Sequence, residues 1–245
     1  MASTSKNSSA LTCQDLFLPE SLVRLVIKIC KSYNISKYDQ FSILDTLNFA
    51  LFNDFKESLS KDAFKDEEKM YIMILNIIRL CEKFNNSSSS FAKKIDTIFK
   101  ELGINKNVYN VSELESYKMM DYEVKNPVVL EAIYDFVENN LNSNDQKNQV
   151  FDFSNDLLVL VYLWKDSIFN RLLKTMSHED SIKIIKNQKL QAVAVFFVVL
   201  KILNNSKYNE IFEKITNEMK EEITEKEVNQ LCAVIFGLIQ NNKSA

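Results

Sequence analysis

The chain has 245 residues, of which 30 are Lys or Arg and 33 are Asp or Glu, so its net charge is −3. It contains 2 glycines and 2 prolines, whereas average usage would give about 17 and about 12. Because the tight turns of β-sheets depend on glycine, this composition excludes a sheet protein and predicts an all-α fold. The basic residues are spread along the chain, so no basic face predicts direct binding to nucleic acid.

Five helices are predicted in the first half of the chain. Residues 1–15 are rich in Ser, Asn and Thr without periodicity, which is typical of a disordered tail. Apolar residues then recur at helical spacing, a charged connector covers 55–68, and the capping box Ser112-x-x-Glu115 begins the last helix of this half. The first four predicted helices span about 19–33, 37–54, 70–84 and 89–102.

Pro127 begins a second amphipathic series, in which periodicity again predicts five helices. Their predicted spans are about 127–141, 154–176, 188–204, 206–220 and 225–240.

The two halves share the same order of features. Each contains a helix that is apolar almost all round (70–84 and 188–204), which is typical of a buried central helix. In both halves an Asn-Asn-Ser linker, an amphipathic helix and a capping box follow, the second box being Thr224-x-x-Glu227. We therefore predict two tandem five-helix repeats, over 16–126 and 127–241, with a short tail at 242–245.

The cysteines and apolar segments bear on the cellular compartment. Cys13, Cys30, Cys81 and Cys232 lie far apart without a CxxC pair, which favours free thiols over a metal site. The polar N-terminus has no secretory signal, and the longest apolar run, 190–200, is shorter than the ~20 residues needed to cross a bilayer. A soluble intracellular protein without a membrane partner is expected.

Little in the sequence supports catalysis. There is one histidine, and no phosphate-binding glycine loop, nucleophile elbow or HExxH motif is present. A polar capping neighbourhood explains His178, and Trp164 follows an apolar run that predicts a core position. We expect a binding protein rather than an enzyme, with no cofactor and no metal.

Three stretches resemble a known family. PESLVRLVIKICKSYNISKYDQFSILDTLNFAL (19–51), SELESYKMMDYEV (112–124) and LLVLVYLWKDSIFNRLLKTM (157–176) are similar to the first helix pair, the fifth helix and the early second box of cyclin-box proteins. The pattern resembles most the cyclin N-terminal domain-containing protein 1 family, the meiotic crossover cyclins, and extends over about 18–240. The resemblance implies two tandem cyclin boxes.

The resemblance also implies a function and a site. Proteins of this family are non-catalytic regulatory subunits in the meiotic nucleus, associated with chromosomes, which promote crossover formation by binding a cyclin-dependent kinase. Lys83 falls at the family's kinase-binding Lys position and Glu113 at its Glu position. From the residues alone, a solvated cation at a helix end and a first-turn carboxylate explain the same two side chains.

Two departures from the cyclin pattern leave an alternative open. The positions of the substrate-docking patch carry Leu18, Leu22 and Leu25, without a Trp. The second helix of cyclins usually ends in Asp-Arg-Phe-Leu, whereas residues 48–51 read Asn-Phe-Ala-Leu. Phe49 is expected to replace the missing Asp–Arg ion pair by packing. The alternative is a cyclin-fold scaffold that binds recombination or clamp-loader proteins without activating a kinase. A DNA-binding cyclin fold is disfavoured by the net charge.

Overall fold

The computed structural model of the protein describes residues 17–52, 67–85, 113–118 and 120–242, together with positions 95, 97, 100 and 103. Every regular element within these ranges is an α-helix, which confirms the predicted all-α class. The predicted tail at 1–15, most of the connector at 55–68, most of the helix at 89–102, Ser112 and the last three residues lie outside the described residues.

Three long helices and one short segment make up the described part of the first half. These are α1 (Glu20–Ser32), α2 (Lys37–Phe52), α3 (Glu67–Asn85) and a helical segment at 113–118. Pro19 lies at the N-cap of α1, where its missing N–H costs nothing and its φ suits the first turn. The predicted bounds of α1 and the predicted start of α2 are confirmed.

Seven helices, rather than the predicted five, follow Pro127 in the continuously described part of the chain. They are α4 (Val128–Asn140), α5 (Asn144–Leu163), α6 (Lys165–Leu172), α7 (His178–Lys186), α8 (Gln188–Ile202), α9 (Tyr208–Glu218) and α10 (Glu225–Asn242).

Local capping explains why there are seven helices. The predicted helix at 154–176 is in fact the end of α5 and all of α6, separated at Trp164. The additional helix α7 begins where the Asp180 N–H donates to Ser177 Oγ at 3.1 Å. Asn187 ends α7 and caps α8, since its Oδ1 accepts from the Leu190 N–H at 3.0 Å. Such side-chain caps satisfy N–H groups that the helix itself leaves unpaired.

Two apolar helices occupy the core, as their composition predicts. The eleven residues 190–200 of α8 are all buried, and α8 contacts α4, α5 and α10. In the first half, residues 72–82 of α3 are all buried, and α3 packs against α2. A helix buried on every side needs neighbours around its whole circumference, so these two helices determine where the others lie.

Hydroxyl groups of α2 hold the connection between the two halves. The Lys125 N–H donates to Thr46 Oγ1 at 3.0 Å, and Ser42 Oγ donates to the Lys125 carbonyl at 2.8 Å. Both hydroxyl residues are buried, and each satisfies a backbone group of the partly buried Lys125. The Tyr38 hydroxyl of α2 also donates to Glu131 of α4 at 2.8 Å. α2 therefore fixes the start of the second half.

Asp45 forms a second connection from α2. Its carboxylate accepts a hydrogen bond from the Tyr162 hydroxyl of α5, while Oδ2 has no hydrogen-bond partner among the described residues. Burial raises the pKa of Asp45 to about 6, although the Tyr162 bond and the charge of Lys165 act in the opposite direction. The ionised form is therefore unfavourable in the folded protein.

We predict that Asp45→Asn stabilises the protein at neutral pH. The folded-state pKa of Asp45 is raised above its ordinary value of 3.8. The ionised side chain therefore destabilises the folded protein above about pH 6, and this destabilisation disappears as the pH falls toward 4. The amide keeps an acceptor for Tyr162 without the charge. Urea unfolding followed by circular dichroism should show a gain of roughly 1–3 kcal/mol near pH 7.5 that vanishes near pH 4.

The matched control is Asp156→Asn, because the Asp156 side chain is 81% exposed and lies 3.7 Å from Lys37. It should change the free energy of unfolding by less than about 0.5 kcal/mol at either pH. Equal destabilisation by Asp45→Asn at both pH values would contradict the assignment of a carboxylate whose ionised form is unfavourable in the folded protein.

Candidate partner-binding site

Glu113 bridges two cations of α3. Arg79 Nη1 lies 2.6 Å and Lys83 Nζ 2.9 Å from Glu113 Oε1. Arg79 and Lys83 are four residues apart and so occupy the same face of the helix, while Glu113 comes from the helical segment 34 residues after Arg79. The predicted pair Lys83 and Glu113 is thus brought together on one surface.

The three charges differ in their exposure to solvent. The Arg79 side chain is 10% exposed, that of Glu113 is 23% and that of Lys83 is 41%. Burial raises the pKa of Glu113, but the hydrogen bonds and charges of Arg79 and Lys83 outweigh it, so the pKa lies below its usual value. The carboxylate is ionised at neutral pH, and the cluster carries one net positive charge.

A groove of about 420 Å³ lies beside this cluster. Its walls come from the end of α3 and from the 113–118 segment. Phe84 and Leu114 line the groove with side chains that are 56% and 52% exposed. Exposed apolar residues around a fixed charge are typical of a protein-binding surface. The residues that line the groove are Leu80, Lys83, Phe84, Glu113, Leu114 and Tyr117.

Aromatic rings continue the apolar surface beyond the groove. The Phe84 and Tyr117 rings stack with centroids 5.9 Å apart, and Tyr122 meets Tyr117 edge-on at 5.0 Å. Asp121 and Tyr122 have φ values of 56° and 59°, a conformation that costs a non-glycine residue about 1 kcal/mol or more. This turn places the exposed Tyr122 ring next to the groove.

The C-terminal end of α3 is fixed in place close to Lys83. Asn85 Nδ2 donates to Asp39 Oδ1 at 2.8 Å, and Asp39 belongs to the cap of α2, where its N–H donates to Ser36 Oγ at 3.0 Å. The position of Lys83 relative to α2 therefore follows from a neighbouring hydrogen bond rather than from its own side chain. Such support is what a preorganised site requires.

The predicted docking patch, at the start of α1, has little exposed surface. Leu18 and Leu22 are buried with 6% and 5% exposure, and Leu25 is partly buried against the core. These three residues therefore offer little surface to a docking motif. At the end of α2, Phe49 was expected to replace a missing ion pair by packing. Its ring lies beneath the Lys125 ammonium, which is 4.0 Å from the ring centroid.

The tryptophan, the histidine and the described cysteines outside this site have surroundings that indicate a structural role. Trp164 packs against the core as predicted, and the His178 ring meets Phe169 edge-on at 5.7 Å. Cys30 and Cys81 are buried, unbridged thiols, and burial raises the pKa of each to about 12. Cys13 lies outside the described residues.

Acidic, histidine and thiol side chains nowhere gather in a group of three that would suit a metal ion, within the part of the chain that the structure describes. None of the described helices has both the length and the apolar content required to cross a membrane.

Sequence reasoning missed part of the site. Arg79 was not singled out, although an arginine inside the apolar run MYIMILNIIRLCEKF four residues before Lys83 is a usable signal. Leu114 and Tyr122 were also missed as surface residues, because periodicity assigns apolar side chains to the interior.

Comparison of the chain with protein-family models, with curated proteins and with solved structures finds no match.

We predict that Arg79, and not Lys83, stabilises the fold through Glu113. A double-mutant cycle with Arg79→Met and Glu113→Gln should give a coupling energy of roughly 1–3 kcal/mol, because Arg79 is shielded from water. The cycle with Lys83→Met should give about 0–1 kcal/mol, as is usual for an exposed pair. Urea unfolding measures both.

The exposed pair Arg24 and Glu20 provides the reference cycle, since its side chains are 63% and 50% exposed, and about 0.3–0.5 kcal/mol is expected. If coupling to Lys83 equals or exceeds coupling to Arg79, the division of roles between the two cations is wrong.

Proposed function

We propose that this protein is a non-catalytic, cyclin-like regulatory subunit that binds a cyclin-dependent kinase. The proposal includes two tandem cyclin boxes and a role in the nucleus, where the complex would promote crossover formation in meiotic recombination. The biological setting comes from the family resemblance alone. The contact surface has support of its own in the arrangement of the residues.

The single observation that carries the proposal is the convergence of Lys83 and Glu113 on one exposed, apolar-edged surface. The resemblance assigns these two residues to the kinase contact, and they lie 2.9 Å apart. Had they faced opposite sides of the molecule, the assignment would have failed. Phe84 and Leu114 beside them supply the apolar area that such an interface needs.

Arg79 leaves Lys83 available for contact with a partner. It satisfies Glu113 from the buried side, so Lys83 is not required to neutralise the carboxylate. An ammonium has three N–H donors, and only one is needed for Glu113 Oε1. The others are suited to backbone carbonyls of a partner helix, and burying the exposed half of Phe84 and of Leu114 would contribute roughly 1–1.5 kcal/mol each.

The alternative is a cyclin-fold scaffold that binds recombination or clamp-loader proteins and activates no kinase. One observation favours it: Leu18 and Leu22 are buried, so these positions do not form the exposed patch with which cyclins recruit substrates. The same partner surface would then serve for assembly alone. Kinase activity of the purified complex separates the two functions, since stimulation supports the regulatory subunit and binding without stimulation supports the scaffold.

We predict that Lys83→Glu and Leu114→Ser each weaken binding to a cyclin-dependent kinase by about ten-fold or more. Individual purified kinases of this class are offered to the immobilised protein, and the recovered kinase is quantified. Glu113→Lys should also abolish recovery, but it places a third cation beside Arg79 and Lys83 and should cost stability. Leu114→Ser removes only an exposed side chain and is therefore the decisive variant.

Two matched controls lie outside the surface: Lys186→Glu makes the same charge change at an exposed lysine of α7, and Leu173→Ser changes another exposed leucine. Both should bind like the wild type. Thermal unfolding followed by circular dichroism establishes that each variant is folded. Equal recovery of kinase by the wild type, Lys83→Glu and Leu114→Ser, or failure of any such kinase to bind, would refute the proposed interface.

A further inference from the structure

A second groove, of about 270 Å³, lies between α8 and α10 in the other half of the molecule. Phe197 and Tyr208 form part of its wall, with their rings edge-on at 5.6 Å. Phe236 and the small residue Ala233 come from α10. The groove is thus wide enough for a side chain of a partner and is lined with aromatic surface.

Two cations adjoin this groove. Lys201 lines it, with Nζ 5.4 Å from the centroid of the Phe236 ring. Arg171 of α6 reaches Gly237, another lining residue: a Cβ atom at this glycine would lie 3.0 Å from Arg171 Nη1. Glycine at 237 therefore lets the guanidinium approach the edge of the groove closely.

No carboxylate neutralises either cation within the described part of the chain. Some lysines of this half are paired with carboxylates, as Lys183 is with Glu227 at 3.0 Å and Lys189 is with Glu222. Lys201 and Arg171 form no such ion pair with a described residue. Two uncompensated cations beside an apolar surface attract negative charge.

The charge of Lys201 acts on the Cys232 thiol inside the groove. Burial raises the pKa of Cys232 to about 12, and the positive charge of Lys201 opposes that rise. The pKa of Tyr208 is raised by burial and by the Cys232 thiol. No carboxylate of the described residues contributes to either shift.

We propose that this groove binds an acidic peptide segment of a partner protein. An apolar side chain of the peptide would enter between Phe197 and Phe236, and flanking carboxylates would pair with Lys201 and Arg171. The groove beside Lys83 differs in this respect, because Glu113 already supplies its negative charge. Among the described residues no carboxylate does this at the α8–α10 groove, so the acidic peptide would supply the negative charge there, and this inference does not depend on the proposed kinase contact.

A selection from random short peptides tests the proposal, with the full chain as the immobilised target. Enriched peptides should be net acidic and carry at least one large apolar residue. Labelled copies should bind Lys201→Gln and Arg171→Gln about three-fold to ten-fold more weakly than the wild type. Binding should also weaken with increasing salt, since exposed charges are screened.

Three further variants locate the binding site on the molecule. Ala233→Trp fills the groove from an exposed position of α10 and should abolish binding. Lys186→Gln removes an equivalent charge outside the groove, and Leu114→Ser alters the other groove, so both should leave binding unchanged. The proposal is overturned if no acidic peptide is enriched, if Asn and Gln replacements of the peptide's acids bind equally well, or if Ala233→Trp binds normally.

Discussion

The arrangement of this protein depends on a few polar side chains of α2. Ser42 and Thr46 are buried, and both bind the backbone of Lys125, about 80 residues later in the chain. Asp45, between them, accepts from Tyr162 of α5. A purely apolar α2 would pack equally well in several rotations, whereas buried polar groups that need specific partners allow one. The relative placement of the halves, and hence of both grooves, follows from that constraint.

Much of the helical content was predictable, because a helix that packs against a core shows its apolar stripe in the sequence. The start of α1 at Pro19 and the buried helices α3 and α8 illustrate this. The first turns of α5 were missed since residues 144–149 include none that is buried. Such a helix end is maintained by the continuing helix rather than by contacts of its own, so periodicity cannot detect it.

The candidate site was predictable only in part, and for a different reason. Lys83 and Glu113 were singled out by resemblance, since the contact spans 30 residues and no local pattern specifies it. A buried Arg79 does imply that some carboxylate must approach it, but the sequence offers 33 acidic residues. The exposure of the Phe84 and Tyr122 rings could not be predicted, because composition alone does not say which apolar residues remain outside the core.

The all-round burial of α8 has a consequence for synthesis of the chain. Residues 190–200 leave the ribosome before α10, which later covers one side of them. During that interval an apolar, β-branched segment without a charge or a proline is exposed, and such segments associate readily with copies of themselves. The nascent protein therefore depends on chaperones or on rapid arrival of its last helix, and loss of α10 would cause aggregation instead of a smaller folded domain.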